Sequence, residues 1–454
     1  MRLEARSHVG ARLACHAGLA CSAWLACAAP HVPSPPPLDP ARAPWNVAAP
    51  VPRQDAALLA LMERVARTRE LERGDPPTLA SVPREWLVER ALALNEARSA
   101  PGSLDAEASW LWALELVPRD FRWQAALRRA FEARLSAFYD AERAEIVIDA
   151  ALAGNARQRV LAHELVHALA DRHFGLAARL ADTRATSDAR AALHLLAEGD
   201  ADAVVLELWP EDDGGPLPAA GAGSLDTAES ELPPVLQRSI AATYADGARV
   251  VRGLRARTGW RAIDALYRDP PGSTRALLSP EQAPSTPSRP RGDREPLGPS
   301  PGSRLAYSDV LGEQALRIVL EEWLPAARAA ELASDWEGDA LSVFEGAGAE
   351  PERALMWEIR WRDGRGESGA AALRRGLRLP PSAPTRGNGS LVCRAHRDAG
   401  VVGLWSHGDR AWLGHLIGVP TRSGCEQLER WARAAEESPP ERRDPGPRRL
   451  IGPA

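Results

Sequence analysis

Leu161-Ala162-His163-Glu164-Leu165-Val166-His167-Ala168-Leu169-Ala170-Asp171 is the stretch on which the reading of this chain turns. His163 and His167 are four apart, so on a helix both rings leave one face and can meet a single ion, with Glu164 beside the coordination position they leave open. The flanks dictate a helix: Leu161, Leu165, Val166 and Leu169 are apolar, no Pro or Gly interrupts them, and Gly175 supplies a stop. The spacing predicts a helix over 156–174 capped by Asn155. Ahead of it, Glu145-Ile146-Val147-Ile148-Asp149 is short and β-branched and reads as a strand.

A tetrahedral Zn²⁺ site needs a third protein ligand, and two sources compete. His173 stands ten residues after His163, but Ala170 keeps the helix running and leaves His173 about 120° around the axis from His167. The next predicted helix, 187–208, carries Glu198-Gly199-Asp200-Ala201-Asp202. There Glu198 and Asp202 are one turn apart, so Glu198 can bind metal while Asp202 accepts a hydrogen bond from His163 and fixes its tautomer. Asp171, one turn beyond His167, is a second candidate for such support, and His194 is a weaker rival ligand. The same acids could instead form a solvated face of the helix.

Composition narrows the chemistry further. With 56 basic against 61 acidic residues the formal charge is -5, which gives no electrostatic basis for binding nucleic acid. The basic residues are all Arg, so no Lys-based catalyst exists. None of the five Cys forms a C-x-x-C pair, which excludes a thiolate zinc knuckle and leaves His and carboxylates as ligands.

Along the chain, residues 1–30 read as an export leader, with Cys27 at a lipobox-like position for a lipid anchor, and 31–53 as a Pro-rich tether. These features predict a protein outside the cytoplasm: periplasmic, at the cell surface, or tethered to the membrane through lipidated Cys27. An oxidising compartment would let Cys393 and Cys425 pair. Helical periodicity appears at 57–69, 84–97, 105–117 and 121–138 within a body spanning 54–278. A Pro/Arg/Ser linker at 279–303 precedes a Trp-rich α+β domain at 304–436 and a disordered tail at 437–454. That domain opens with a predicted helix at 308–332, and its Trp residues are expected to pack a core rather than form a carbohydrate-stacking surface.

The two motif helices resemble the zinc helix and glutamate helix of the gluzincin, or thermolysin-like, metallopeptidases. More closely, the chain is similar to a group of exported bacterial and archaeal proteins with a His-Glu-Leu-x-His-Ala-Leu-x-Asp-x-His-Phe helix and a Glu-Gly-Asp-Ala helix. The likeness continues through Tyr244-Ala245-Asp246-Gly247, Asp269-Pro270-Pro271-Gly272-Ser273-Thr274, Leu311-Gly312-Glu313 and Trp336-Glu337-Gly338-Asp339. It implies an α+β fold: a mainly α-helical, zincin-like catalytic body with a short strand before the zinc helix, plus the small C-terminal α+β domain. It also implies Zn²⁺, a peptide or protein substrate paired along the edge of strand 145–149, and Glu164 as general base. Tyr244 becomes the candidate oxyanion donor. Where such relatives show Leu-His-Pro, this chain has Leu278-Ser279-Pro280, so a catalytically weak zinc-binding envelope protein is the alternative expectation.

Overall fold

A computed structural model describes residues 56–99, 103–182, 184–210, 232–281, 298–299, 303–346, 353–381, 390–397 and 400–437. The leader, the tether, Cys27 and residues 438–454 lie outside the described residues. No helix among the described residues is long and apolar enough to cross a membrane. The fold is mixed α+β, and the chain divides into two compact units. The first takes the chain to Trp112, Leu116–Ala283 and Gly312–Glu322; the second takes Ala113–Glu115, Pro284–Leu311 and Trp323 onward. The division therefore does not fall once, at 279–303, because a segment beyond the linker returns to the first unit.

The first unit starts with α1 (Ala56–Arg69), β1 (Thr78–Val82), α2 (Arg84–Arg98), α3 (Ser103–Ala113) and α4 (Trp123–Arg134). The helix expected over 121–138 stops at Arg134, where Leu135 turns extended, and Ala137–Asp140 is a strand, β2. Four residues with two aromatics carry too little periodicity to separate strand from helix end. β3 (Glu145–Asp149) is the predicted strand, and it is the centre of a three-stranded sheet, parallel to β1 and antiparallel to β2.

Next comes α5 (Gly154–Phe174), followed by α6 (Leu176–Leu180). Every residue of α5 from Val160 to Ala170 is buried, so this helix is enclosed on all sides. It begins one residue before Asn155, which is therefore not its cap; the cap position is Ala153, with no side-chain bond. Gly175 ends it as expected, at φ 66°, donating its N–H to Asp171 O at 2.7 Å. Then follow α7 (Ser187–Leu208), α8 (Pro234–Thr258), α9 (Trp260–Arg268), α10 (Arg275–Leu278) and, from beyond the linker, α11 (Gly312–Glu321). α7 and α8 cross at two glycines: a Cβ on Gly199 would lie 2.2 Å from Gly247 O, closer than any real contact.

The later sequence motifs of this unit meet in one buried polar network. Asp188 accepts the backbone N–H and the hydroxyl of Thr274 at 2.8 and 2.7 Å. The Gln314 amide bonds Asp246 at 2.9 Å, beside Arg317 on the same carboxylate. Ser279 donates to Glu313 at 3.1 Å. Burial raises Glu313 to about 7, against the opposing pull of Arg275, Ser279 and Arg317. These bonds anchor α11 within the first unit.

The second unit holds an antiparallel six-stranded sheet, in the order β4 (Arg304–Asp309), β5 (Trp336–Glu345), β6 (Arg353–Trp361), β9 (Arg410–Leu416), β8 (Val401–His407) and β7 (Ser390–Ala395). The helix expected over 308–332 is broken, because Pro325 starts a separate α12 (Ala326–Ser334). Sequence reading also missed α13 (Gly366–Gly376), whose Gly369 sits against Trp361. The closing helix α14 (Thr421–Glu437) packs Leu428 and Trp431 with Met356, Trp405 and Trp412 on one face of the sheet. Trp361, five residues along β6 from Met356, points to the other face, so the sheet has a helix on each side. Trp336, Trp357, Trp361, Trp405 and Trp412 are each 1% exposed or less, which makes them core residues and rules them out as a stacking surface. Cys393 of β7 and Cys425 of α14 form a disulfide.

Candidate metal centre

α5 and α7 pack side by side, and their inner faces bring three side chains to one point. His163 Nε2 lies 3.1 Å from His167 Nε2 and 3.2 Å from Glu198 Oε2, and His167 Nε2 lies 3.5 Å from Glu198 Oε1. The two rings stand edge to face, at 84°. A tetrahedral ion bonded at about 2.1 Å holds its ligand atoms about 3.4 Å apart, close to these separations, although the two imidazoles approach different oxygens of Glu198. Among the described residues this is the one group of His, Cys, Asp and Glu able to hold a metal.

The electrostatics also call for a cation. All three residues are at most 4% exposed. Burial holds His163 and His167 down at about 4, and pushes Glu198 up to about 7 against the pull of His167. Neutral imidazoles thus converge on a carboxylate, neither of whose oxygens has a well-formed hydrogen bond. A cluster of converging acceptors is costly in a protein interior, and a divalent ion satisfies all of them at once. The donor set therefore fits a metal.

Glu164 is buried beside this point. Burial, with the Glu198 charge added, raises its carboxyl to about 8, opposed by a hydrogen bond from the Tyr139 N–H. Oε2 of Glu164 has no partner. The Tyr139 bond was not foreseen, and it comes from the strand that sequence reading took for a helix end. The Asp149 N–H donates to Ser136 O at 2.9 Å, so in the alternating antiparallel pattern Ala137 and Tyr139 turn their backbone groups away from β3. The strand edge beside Glu164 is therefore β2. β3, the expected edge, is flanked on both sides.

The remaining candidates separate clearly. Asp202 acts electrostatically on His163, favouring its charged form, and also lies 3.6 Å from Arg252. Asp171 does not support His167: it accepts from Tyr139 Oη at 3.4 Å and from the Ala177 N–H at 2.8 Å, and His167 Nδ1 has no hydrogen-bond partner. Its carboxylate is spent on starting α6. Tyr244 of α8 reaches the site, but its phenol is directed at the Glu198 carboxylate, whose pKa it lowers. His173 is exposed and bonded to Glu72 O at 2.8 Å, so it is not a ligand. His194 is buried on α7 but lies outside the ligand cluster.

No protein-family model, curated protein or solved structure matches this chain.

Proposed function

We propose that the chain is a zinc-dependent peptidase, cleaving peptide bonds with Glu164 as general base. The observation that carries the reading is the convergence of His163, His167 and Glu198 at 3.1–3.5 Å with an unpartnered Glu164 oxygen beside them. His163, His167 and Glu198 would hold Zn²⁺, which supplies Lewis acidity, polarising a carbonyl and acidifying water. Glu164 accepts a proton from the attacking water and passes it to the leaving amine. Tyr244 is directed at Glu198, and Asp202 acts on His163 through its charge. The outward backbone groups of β2 other than the Tyr139 N–H, which Glu164 holds, offer an extended substrate a strand to pair with, which puts its peptide bonds in front of Glu164. The motifs His163-Glu164-Leu165-Val166-His167 and Glu198-Gly199-Asp200-Ala201-Asp202 are what support a gluzincin-like assignment. The Cys393–Cys425 disulfide supports a site of action outside the cytoplasm.

One observation favours the second reading, a metal-holding binding protein with little hydrolysis. Ser279 stands where the resembling proteins carry His, and its hydroxyl is committed to Glu313. Comparison of wild type with Glu164→Gln on casein and a peptide library, with zinc measured in both, separates the two. The peptidase reading expects zinc retained and turnover lost by at least about a hundredfold. Equal turnover in the two proteins rejects it.

A further inference from the structure

The side of α7 that faces away from the histidines is gripped as firmly as the side that faces them. Asp200 stands two residues from Glu198, about 200° around the helix. It is fully buried, and Arg69, the last residue of α1 and itself 0% exposed, donates to it from Nε at 2.7 Å. The same guanidinium donates from Nη2 to Asp264 of α9 at 2.7 Å and lies over the Trp260 ring at 4.6 Å. Tyr267, on the same face of α9, directs its phenol towards Asp200 without a well-formed hydrogen bond and stacks on Phe174, the last residue of α5, at 4.9 Å and 4°. One cation thus ties together α1, the glutamate helix and α9, and α9 in turn rests on the end of the zinc helix.

A buried ion pair is a poor way to gain stability, since apolar residues of the same volume do as well or better. What it does well is fix an orientation, because the planar fork of Arg tolerates little rotation. Orientation is what Glu198 needs. With side-chain ends about 5–6 Å from the helix axis, a roll of about 20° moves the carboxylate by about 2 Å, as far as a metal–oxygen bond is long. The Gly199–Gly247 contact sets how close α7 lies to α8, but a contact between two glycines does not resist rolling.

We propose that Arg69, through Asp200, is a positioning residue that sets the roll of α7 and so aims Glu198 at the metal. The inference rests on the metal-centre reading above, and its test reads metal binding rather than turnover. Full-length wild type, Asp200→Asn and the paired Arg69→Met/Asp200→Asn are titrated with Co²⁺, recording affinity and the visible ligand-field spectrum, with near-ultraviolet circular dichroism as the check of folding. The paired variant leaves no unpaired charge on α7 and carries the test should the single variant fail to fold. Expected is a folded protein whose Co²⁺ affinity falls at least about tenfold, with an altered spectrum at saturation. Folded variants with wild-type affinity and spectrum overturn the proposal while the metal centre stands. Wild type that binds no Co²⁺ overturns the metal-centre reading and the clamp with it.

Discussion

Glu164, Glu198 and Glu313 are the same residue type, and only their surroundings give them different tasks. Glu198 meets two imidazoles, Glu164 meets a backbone N–H on one side and nothing on the other, and Glu313 meets a serine and two arginines. Glu313 allows a test of pH dependence away from the metal ligands. Its pKa rises from 4.5 to about 7 in the fold because burial disfavours its charge. A raised folded pKa means that the contribution to stability is complete below about 4.5 and is lost as pH climbs through about 7, a change on the order of 3 kcal/mol at most. Glu313→Gln, which cannot ionise, should therefore lose less thermal stability than wild type between pH 5.5 and pH 8. Parallel curves would show that burial does not dominate at this residue. Sequence reading found the metal residues because one helical turn joins His163 to His167. It could not find Arg69 or Tyr139, whose partners lie 131 residues away at Asp200 and 32 away at Asp171.

At the scale of elements, the long helices and the β-branched β3 were legible, whereas β1 and β2 were not. α5 and α7 are long, largely apolar runs buried almost all round, and they lie within a few residues of their predicted limits. β1 and β2 lack the unbroken β-branched run that marks the equally short β3 as a strand. Missing β2 moved the expected substrate edge onto β3, which the sheet encloses. Gly199 and Gly247 had a role that no sequence period announces: each removes a side chain from the α7–α8 crossing. Gly199→Ala would place a Cβ 2.2 Å from Gly247 O and 2.4 Å from Gly247 C. Backbone cannot yield as a flexible side chain does, so the helices must separate, at a cost of about 2–3 kcal/mol or more. Urea unfolding of the variant, with metal removed, measures this. An unchanged midpoint would mean that the two helices shift apart freely.

For the whole molecule, the single boundary expected at 279–303 gives way to two units whose chain segments alternate. Sequence order cannot show that Gly312–Glu322 returns to the first unit, since that follows from long-range bonds such as Ser279 to Glu313 and Gln314 to Asp246. The second unit is held by its Trp-filled sheet and by the disulfide, which closes a 32-residue separation and contributes about 4 kcal/mol by loop-closure entropy. The central claim concerns the first unit: His163, His167 and Glu198 make one zinc site. Zinc per chain, measured after reconstitution and removal of excess metal, tests it most directly in wild type, Glu198→Ala and His173→Ala. The account predicts one zinc in wild type and in His173→Ala, and an empty site in Glu198→Ala. Zinc lost from His173→Ala but kept by Glu198→Ala would contradict it.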